Sequence, residues 1–419
     1  MTDAVEPAPP PAPLLELRDG LPPVVDDAAS LAERARDLAG ATGPVAIDAE
    51  RASGYRYSSR AYLIQLRREG AGTLLVDPVS IGDLTPLVDA LAGTEWILHA
   101  ATQDLPCLRE VGLRPSSLFD TELAGRLLGY PRVGLATLVE EITGRRMRKE
   151  HSAVDWSRRP LPQPWLEYAA LDVEVLIELK DALHDQLVEA GKWEWARQEF
   201  EHLLSFTDHA PRVDPWRRTS GLHKVRGRRP LAAVRELWTT RDRIARERDV
   251  TPSRLLPDSA LVVAAQGMPT TPAAMLALHG FHGRGARPHL TEWFGAIETA
   301  RRMPDAELPP TTRRQDGPPP PRAWADKDPD AAARLTHARE ALRELAEELS
   351  LPVENLIAPD TVRRVLWQPP ADVASAMAAL GARRWQIELA APLLETAIAE
   401  AKALEPGPTD LADHDSGAE

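Results

Sequence analysis

Four consecutive prolines, Pro318–Pro321, end a segment that starts at Pro304 and can continue neither a helix nor a central strand. Residues 304–328 therefore read as an extended spacer, and whatever folds must fold on either side of it. Residues 205–229 form a second joint, basic and poorly patterned. A chain of 419 residues is too long for one ordinary core, and these joints divide it into blocks 14–204, 230–303 and 329–403. Residues 1–13, acidic and rich in Pro and Ala, read as a disordered leader, and 404–419 as an acidic disordered tail.

The first block alternates two periods. Pro44–Asp48, Ala61–Leu66, Thr73–Asp77 and Glu95–His99 read as short buried strands. Helical spacing follows at Leu84–Leu91, Gln103–Val111, Thr121–Leu128 and Leu135–Ile142, and one long helix is expected from Pro162–Trp165 to about Leu187. That mixture predicts an α/β domain. The two later blocks are helical throughout and resemble a loose internal duplication. Each starts with a charged helix (Val234–Arg248; Leu335–Leu349) and reaches a Pro-Asp step, Pro257-Asp258 and Pro359-Asp360.

Charge is uneven. The formal net charge is −13, which argues against a basic nucleic-acid footprint. Yet residues 205–303 hold 17 Lys/Arg against 9 Asp/Glu, whereas 326–419 hold 9 against 18. A polarised molecule of this kind can steer an anionic polymer. No run of 18 apolar residues exists, so no membrane span is implied. The leader lacks the basic and apolar regions of a signal peptide. Cys107 is the only cysteine, which rules out an internal disulfide and fits a reducing cytoplasm.

Three acidic clusters carry the chemistry. Asp48 and Glu50 lie two apart at the end of an apolar strand, so their side chains share a face; paired hard-oxygen ligands suit Mg²⁺ or Mn²⁺. Asp104 opens a helix after a strand, where capping is the plainer role. Tyr168 and Asp172, four apart, share a helix face, and an acid within the apolar stretch 169–179 needs a partner, either a metal or an arginine.

In order, Asp-x-Glu, Asp, then Tyr-x-x-x-Asp resembles the four-acid exonuclease superfamily in its tyrosine branch. Within it, Asp48-Ala-Glu50, Tyr62-Leu-Ile-Gln65-Leu, His99 to Asp104, Phe119-Asp120-Thr121, Asp155-Trp156 with Arg159-Pro160-Leu161, and Tyr168 to Asp172 resemble ribonuclease D over residues 14 to 200. Residues 230–302 resemble the helicase-and-ribonuclease-D C-terminal (HRDC) module, and 329–403 a diverged second copy. The resemblance implies a ribonuclease H-like mixed sheet flanked by helices, followed by two small all-α domains. It implies Asp48, Glu50, Asp104 and Asp172 as ligands of two divalent metal ions, with Tyr168 orienting the attacking water. The activity implied is 3′-to-5′ removal of nucleoside 5′-monophosphates from RNA 3′ ends, transfer-RNA precursors among them, with no membrane and no obligate protein partner. Substrate contacts are expected from Gln65 and His99, from Arg145, Arg148 and Lys149, and from Arg217, Arg218, Lys224, Arg226, Arg228 and Arg229. Asp120 suits a helix cap. The residues alone leave open a DNA exonuclease of the same superfamily, or a nucleic-acid-binding scaffold without activity.

Overall fold

The computed structural model describes residues 12–148, 153–207, 213–312 and 317–403. Lys149, nearly all of the expected leader and the whole of the expected tail lie outside them. The chain forms two compact units. The first comprises Met1–Phe119, Val139–Leu179 and Leu204–Arg314; the second comprises Asp120–Leu138, Lys180–Leu203 and Gln315–Glu419.

The first unit is built on a mixed sheet. Its strands are β1 (Val24–Val25), β2 (Thr42–Arg51), β3 (Ala61–Glu69), β4 (Gly72–Val76), β5 (Glu95–Leu98) and β6 (Ser117–Asp120), in spatial order β1-β4-β3-β2-β5-β6. β2 runs antiparallel to β3 and parallel to β5, so it sits near the centre. Val45, Ala46 and Ile47 on β2, and Leu63, Ile64 and Leu66 on β3, are fully buried. Such near-continuous apolar runs are what a sheet covered on both faces demands. Asp27 caps the helix Ala28–Gly40 by accepting from the amides of Ala29 and Ser30.

The expected long helix is two: Gln163–Glu174 and Leu176–Glu189, broken at Val175. The break follows Glu174, whose carboxylate is ion-paired to Arg67 of β3 at 3.1 Å and to Arg18 at 3.3 Å. This buried pair fixes the first of the two helices on the sheet.

Residues 213–312 belong to the same unit. The helices Arg228–Arg248, Asp258–Gly267 and Leu290–Arg302 bury Leu237, Ile244, Leu261, Phe281, Trp293 and Ile297 in a common core. Gly280 has a φ of +95°, and a Cβ there would stand 2.6 Å from that of Ala260, so the packing admits only glycine. The segment read as a basic linker carries two short 3₁₀ turns, Pro215–Arg218 and Leu222–Lys224, and seats Trp216 and Val225 in that core.

The second unit is helical. Its C-terminal part contains Pro329–Glu348, Pro359–Trp367, Val373–Ala379 and Arg384–Ala403. Lys192 buries its ammonium against the carbonyls of Leu127, at 2.7 Å, and Leu349, at 2.6 Å. Glu199 accepts from Arg383 and from the Trp385 indole, and Trp195 stacks on Trp385 with centroids 4.9 Å apart.

Candidate active site

Strand pleating decides which side chains of β2 meet. Asp48 and Glu50 share one face, while Ile47 and Ala49 take the other. The helix Gln163–Glu174 brings Asp172 over that face, and carboxylate oxygens of Asp48, Glu50 and Asp172 lie within 4.8 Å of one another. Asp48 also accepts from the Ala49 amide at 2.8 Å.

Asp104 reaches the cluster by a strained turn. Ala100, just past β5, holds φ 59° in the left-handed region, and the 3₁₀ turn Ala101–Gln103 follows. A non-glycine residue there costs roughly 1–2 kcal/mol. The turn puts Asp104 at the start of the helix Leu105–Glu110, but its side chain caps nothing. It is instead hydrogen-bonded to Asp48 and stands 3.8 Å from the Arg51 guanidinium. Capping, the plainer expectation for Asp104, does not occur. It does at Asp120, which accepts from the amides of Glu122 and Leu123.

The electrostatics are those of a site made for positive charge. Burial raises the carboxyl of Asp48 above its usual value, though the Ala49 amide and Arg51 oppose the shift. Burial, followed by the charges of Asp48, Asp172 and Asp104, pushes Glu50 well up. Asp172 is raised well above the ordinary range by burial and by Asp48. The Tyr168 hydroxyl donates to Asp172, and its own pKa is pushed up by burial and the surrounding carboxylates. Like charges forced together in a poorly solvated place favour their neutral forms unless a cation joins them. The donors are carboxylate oxygens with neither thiolate nor imidazole among them, which fits a hard divalent ion.

The other expected contact residues scatter. Gln65 lies opposite Asp48 in the β2–β3 register and is 0% exposed, so it cannot touch a nucleotide in this arrangement; its amide oxygen and nitrogen have no hydrogen-bond partner. His99 is half-buried at the end of β5. Arg145 pairs with Glu178. Arg217 stacks on Trp216 and bonds Asp214 and the Pro310 carbonyl. Arg228 is spent on the carbonyls of Asp305 and Leu308, and Arg229 on those of Ala300, Arg301 and Met303, where it satisfies and neutralises the C-terminal end of the helix Leu290–Arg302. Arg148, Arg218, Lys224 and Arg226 are exposed. Arg51, Arg67 and Glu174 were not singled out from the sequence. For Arg51 the signal was present, a cation directly after Asp-x-Glu; for the other two it was not.

A mixed sheet whose central strand carries two acids, closed by a helix-borne acid and tyrosine, defines a 3′-to-5′ exonuclease. A family model described as 3′-5′ exonuclease matches residues 22–188, the HRDC domain model matches 231–297, and a model for the C-terminal domain of 3′-to-5′ exonucleases matches 317–398. The two helical blocks thus match different models. Ribonuclease D of Gluconacetobacter diazotrophicus is 32% identical over 324 residues, 73% of this chain and 81% of that protein. That of Nitrobacter hamburgensis is 35% identical over 215 residues, 49% of this chain and 55% of that protein. Among solved structures, a Bifidobacterium adolescentis protein superposes with a TM-score of 0.86 at 36% identity, covering 93% of this chain and all of that one. Escherichia coli RNase D, described as an exoribonuclease involved in structured RNA processing, superposes at 0.66 with 25% identity, over 90% and 98%. The chain belongs to the ribonuclease D family of exoribonucleases. No helix among the described residues is long and apolar enough to cross a membrane.

Proposed function

We propose that the protein is a two-metal-ion 3′-to-5′ exoribonuclease that trims the 3′ ends of structured RNA, transfer-RNA precursors included, in the cytoplasm. The observation that carries this reading is the convergence of Asp48, Glu50 and Asp172, with Asp104 bonded to Asp48, in a site where burial raises the carboxyls of Asp48, Glu50 and Asp172 above their usual values. These four residues would hold two Mg²⁺ or Mn²⁺ ions, which, when bound, supply the charge that offsets the attacking and leaving oxygens of an in-line displacement.

The chain's own groups do the rest. Tyr168, with its pKa pushed up, is no base at neutral pH; its hydroxyl is held by Asp172 and serves to orient the attacking water. Water adds to the phosphorus of the terminal phosphodiester and the P–O3′ bond breaks, so a nucleoside 5′-monophosphate leaves and the shortened strand keeps a 3′-hydroxyl. Arg51 stands next to Asp104 and limits the repulsion an incoming phosphate meets. Arg148, Arg218, Lys224 and Arg226 are the exposed cations proposed to meet the RNA backbone. Escherichia coli RNase D, the structural relative described as a structured-RNA processing enzyme, supports the choice of substrate class.

The test is a strand assay. RNA and DNA labelled at either end are incubated with Mg²⁺, Mn²⁺ or chelator. Stepwise shortening of 5′-labelled RNA, mononucleotide release from the 3′ label and silence in chelator are expected. Binding without shortening under every metal would transfer the reading to a scaffold.

A further inference from the structure

The loop that leaves the acid-bearing strand is held by the helical module. Residues 52–60 connect β2 to β3, and hydrogen bonds and a cation–ring contact tie them, together with Tyr62, to the segment 242–254. The Ser58 amide donates to Asp249 at 2.9 Å, and the Tyr62 hydroxyl donates to the same carboxylate at 3.4 Å. The Tyr57 hydroxyl donates to Asp242 at 3.0 Å and accepts from Arg246 at 3.1 Å. The Thr251 amide donates to the Tyr55 carbonyl at 3.1 Å, and Arg254 donates to the Gly54 carbonyl at 3.1 Å with its guanidinium 4.0 Å above the Tyr55 ring.

The loop also looks the other way. Tyr57 packs into the core of the helical module. Tyr55 packs instead with Ala52, Tyr62, Trp156, Ala169 and Ala170, the cluster against which Tyr168 also rests. One short loop, starting two residues after Glu50, thus joins the nuclease tyrosine's packing to a domain far off in sequence. Asp249 is the pivot: it ends the helix Arg228–Arg248 at φ 45°, a left-handed conformation that Asp, Asn and Gly tolerate best.

We infer that the HRDC-like module is a positioning element of the nuclease site: its Asp249, with the Asp242–Arg246 pair and Arg254, holds loop 52–60 so that the end of β2 and Tyr168 keep their working geometry. This rests on the reading of the acid cluster as the nuclease centre. A module that only gathered RNA would alter affinity; one that positions the site alters the chemical step, because small displacements of catalytic groups lower the rate steeply.

The experiment uses the full chain. Asp249→Gly keeps the left-handed backbone and removes both acceptors; Asp249→Asn keeps one acceptor in the same conformation; Tyr57→Phe removes the phenol and keeps its ring. The rate at saturating RNA, the RNA Kd in chelator and backbone amide exchange across 50–60 are measured for each. Expected are a fall in kcat on the order of tenfold for Asp249→Gly, an unchanged Kd, faster exchange at residues 50–58, and substantial recovery of rate and protection in Asp249→Asn, with Tyr57→Phe intermediate. Unchanged kcat in both Asp249→Gly and Tyr57→Phe, or a loss confined to Kd, overturns the inference. Should the wild type prove inactive, the nuclease reading fails on its own, and exchange decides this one: equal protection in wild type and Asp249→Gly overturns it.

Discussion

Gln65 stands directly opposite Asp48 in the antiparallel register of β2 and β3, fully buried, with both amide atoms lacking a hydrogen-bond partner. An unpaired buried amide costs about 1–3 kcal/mol. Replacement by leucine, similar in volume, should leave the melting temperature unchanged or raise it. The same change should lower kcat by roughly tenfold if the amide steadies Asp48 when the acids are loaded. Thermal melts and single-turnover rates on Gln65→Leu check both; a large drop in melting temperature would show that the amide is structurally paired.

Asp48→Asn and Asp172→Asn each remove one charge from the cluster. Cleavage should fall on the order of a thousandfold or more, as expected when several kcal/mol of transition-state stabilisation is lost. RNA affinity in chelator should stay within a few-fold of wild type. Full activity in either variant would remove it from the ligand set.

The raised carboxyls make the stripped protein sensitive to alkali. Asp48, Glu50 and Asp172 ionise near pH 4 in an unfolded chain but higher when folded, because of burial at all three and, at Glu50 and Asp172, of neighbouring carboxylates as well. The folded state therefore binds more protons between these values, so its stability is complete below about pH 4 and is lost as pH rises through the folded pKa values. Chelator-treated wild type should lose more stability from pH 5 to 8 than Asp172→Asn, and Mg²⁺ or Mn²⁺ at pH 8 should restore it. Melts of both proteins across that range measure the difference; parallel curves would contradict the assignment.

Arg159 forms a two-point ion pair with buried Asp77 at 2.6 and 2.8 Å and donates to the Tyr62 carbonyl. Asp77 keeps its bonds to Val79 and Ser80 without it, so Arg159→Ala should cost about 2–3 kcal/mol rather than the full penalty of a stranded buried charge. Arg159→Lys should recover little, since an ammonium cannot reproduce the fork. Urea midpoints give the values.

Much of the sheet was legible because alternation and apolar runs are local signals. Glu95–His99 was expected as a strand and Glu95–Leu98 is one; Thr121–Leu128 was expected as a helix and is one. The break at Val175 was not legible, because Val173, Leu176 and Leu179 stay buried on both sides of it and the period runs through. Asp104 read as a cap because composition shows an acid at a helix start, while the left-handed Ala100 that turns it toward Asp48 leaves no mark in a propensity. The arginines at 228 and 229 read as phosphate contacts because charge can be counted in a sequence, whereas the carbonyls that occupy them come from residues 72 to 80 positions away.

The second unit is stitched from three stretches of chain, with Lys192 joining Leu127 to Leu349. During synthesis, the segments 120–138 and 180–203 leave the ribosome long before 317–403 exist to cover them. Domains generally fold as units as they emerge. The acid-bearing strand can thus be in place while those helices still wait for their partner, so a truncated or stalled chain would carry an assembled acid cluster and, in its other unit, uncovered apolar helices: a species for chaperones and proteases to find, and one that a stop codon in the last hundred residues would make permanent.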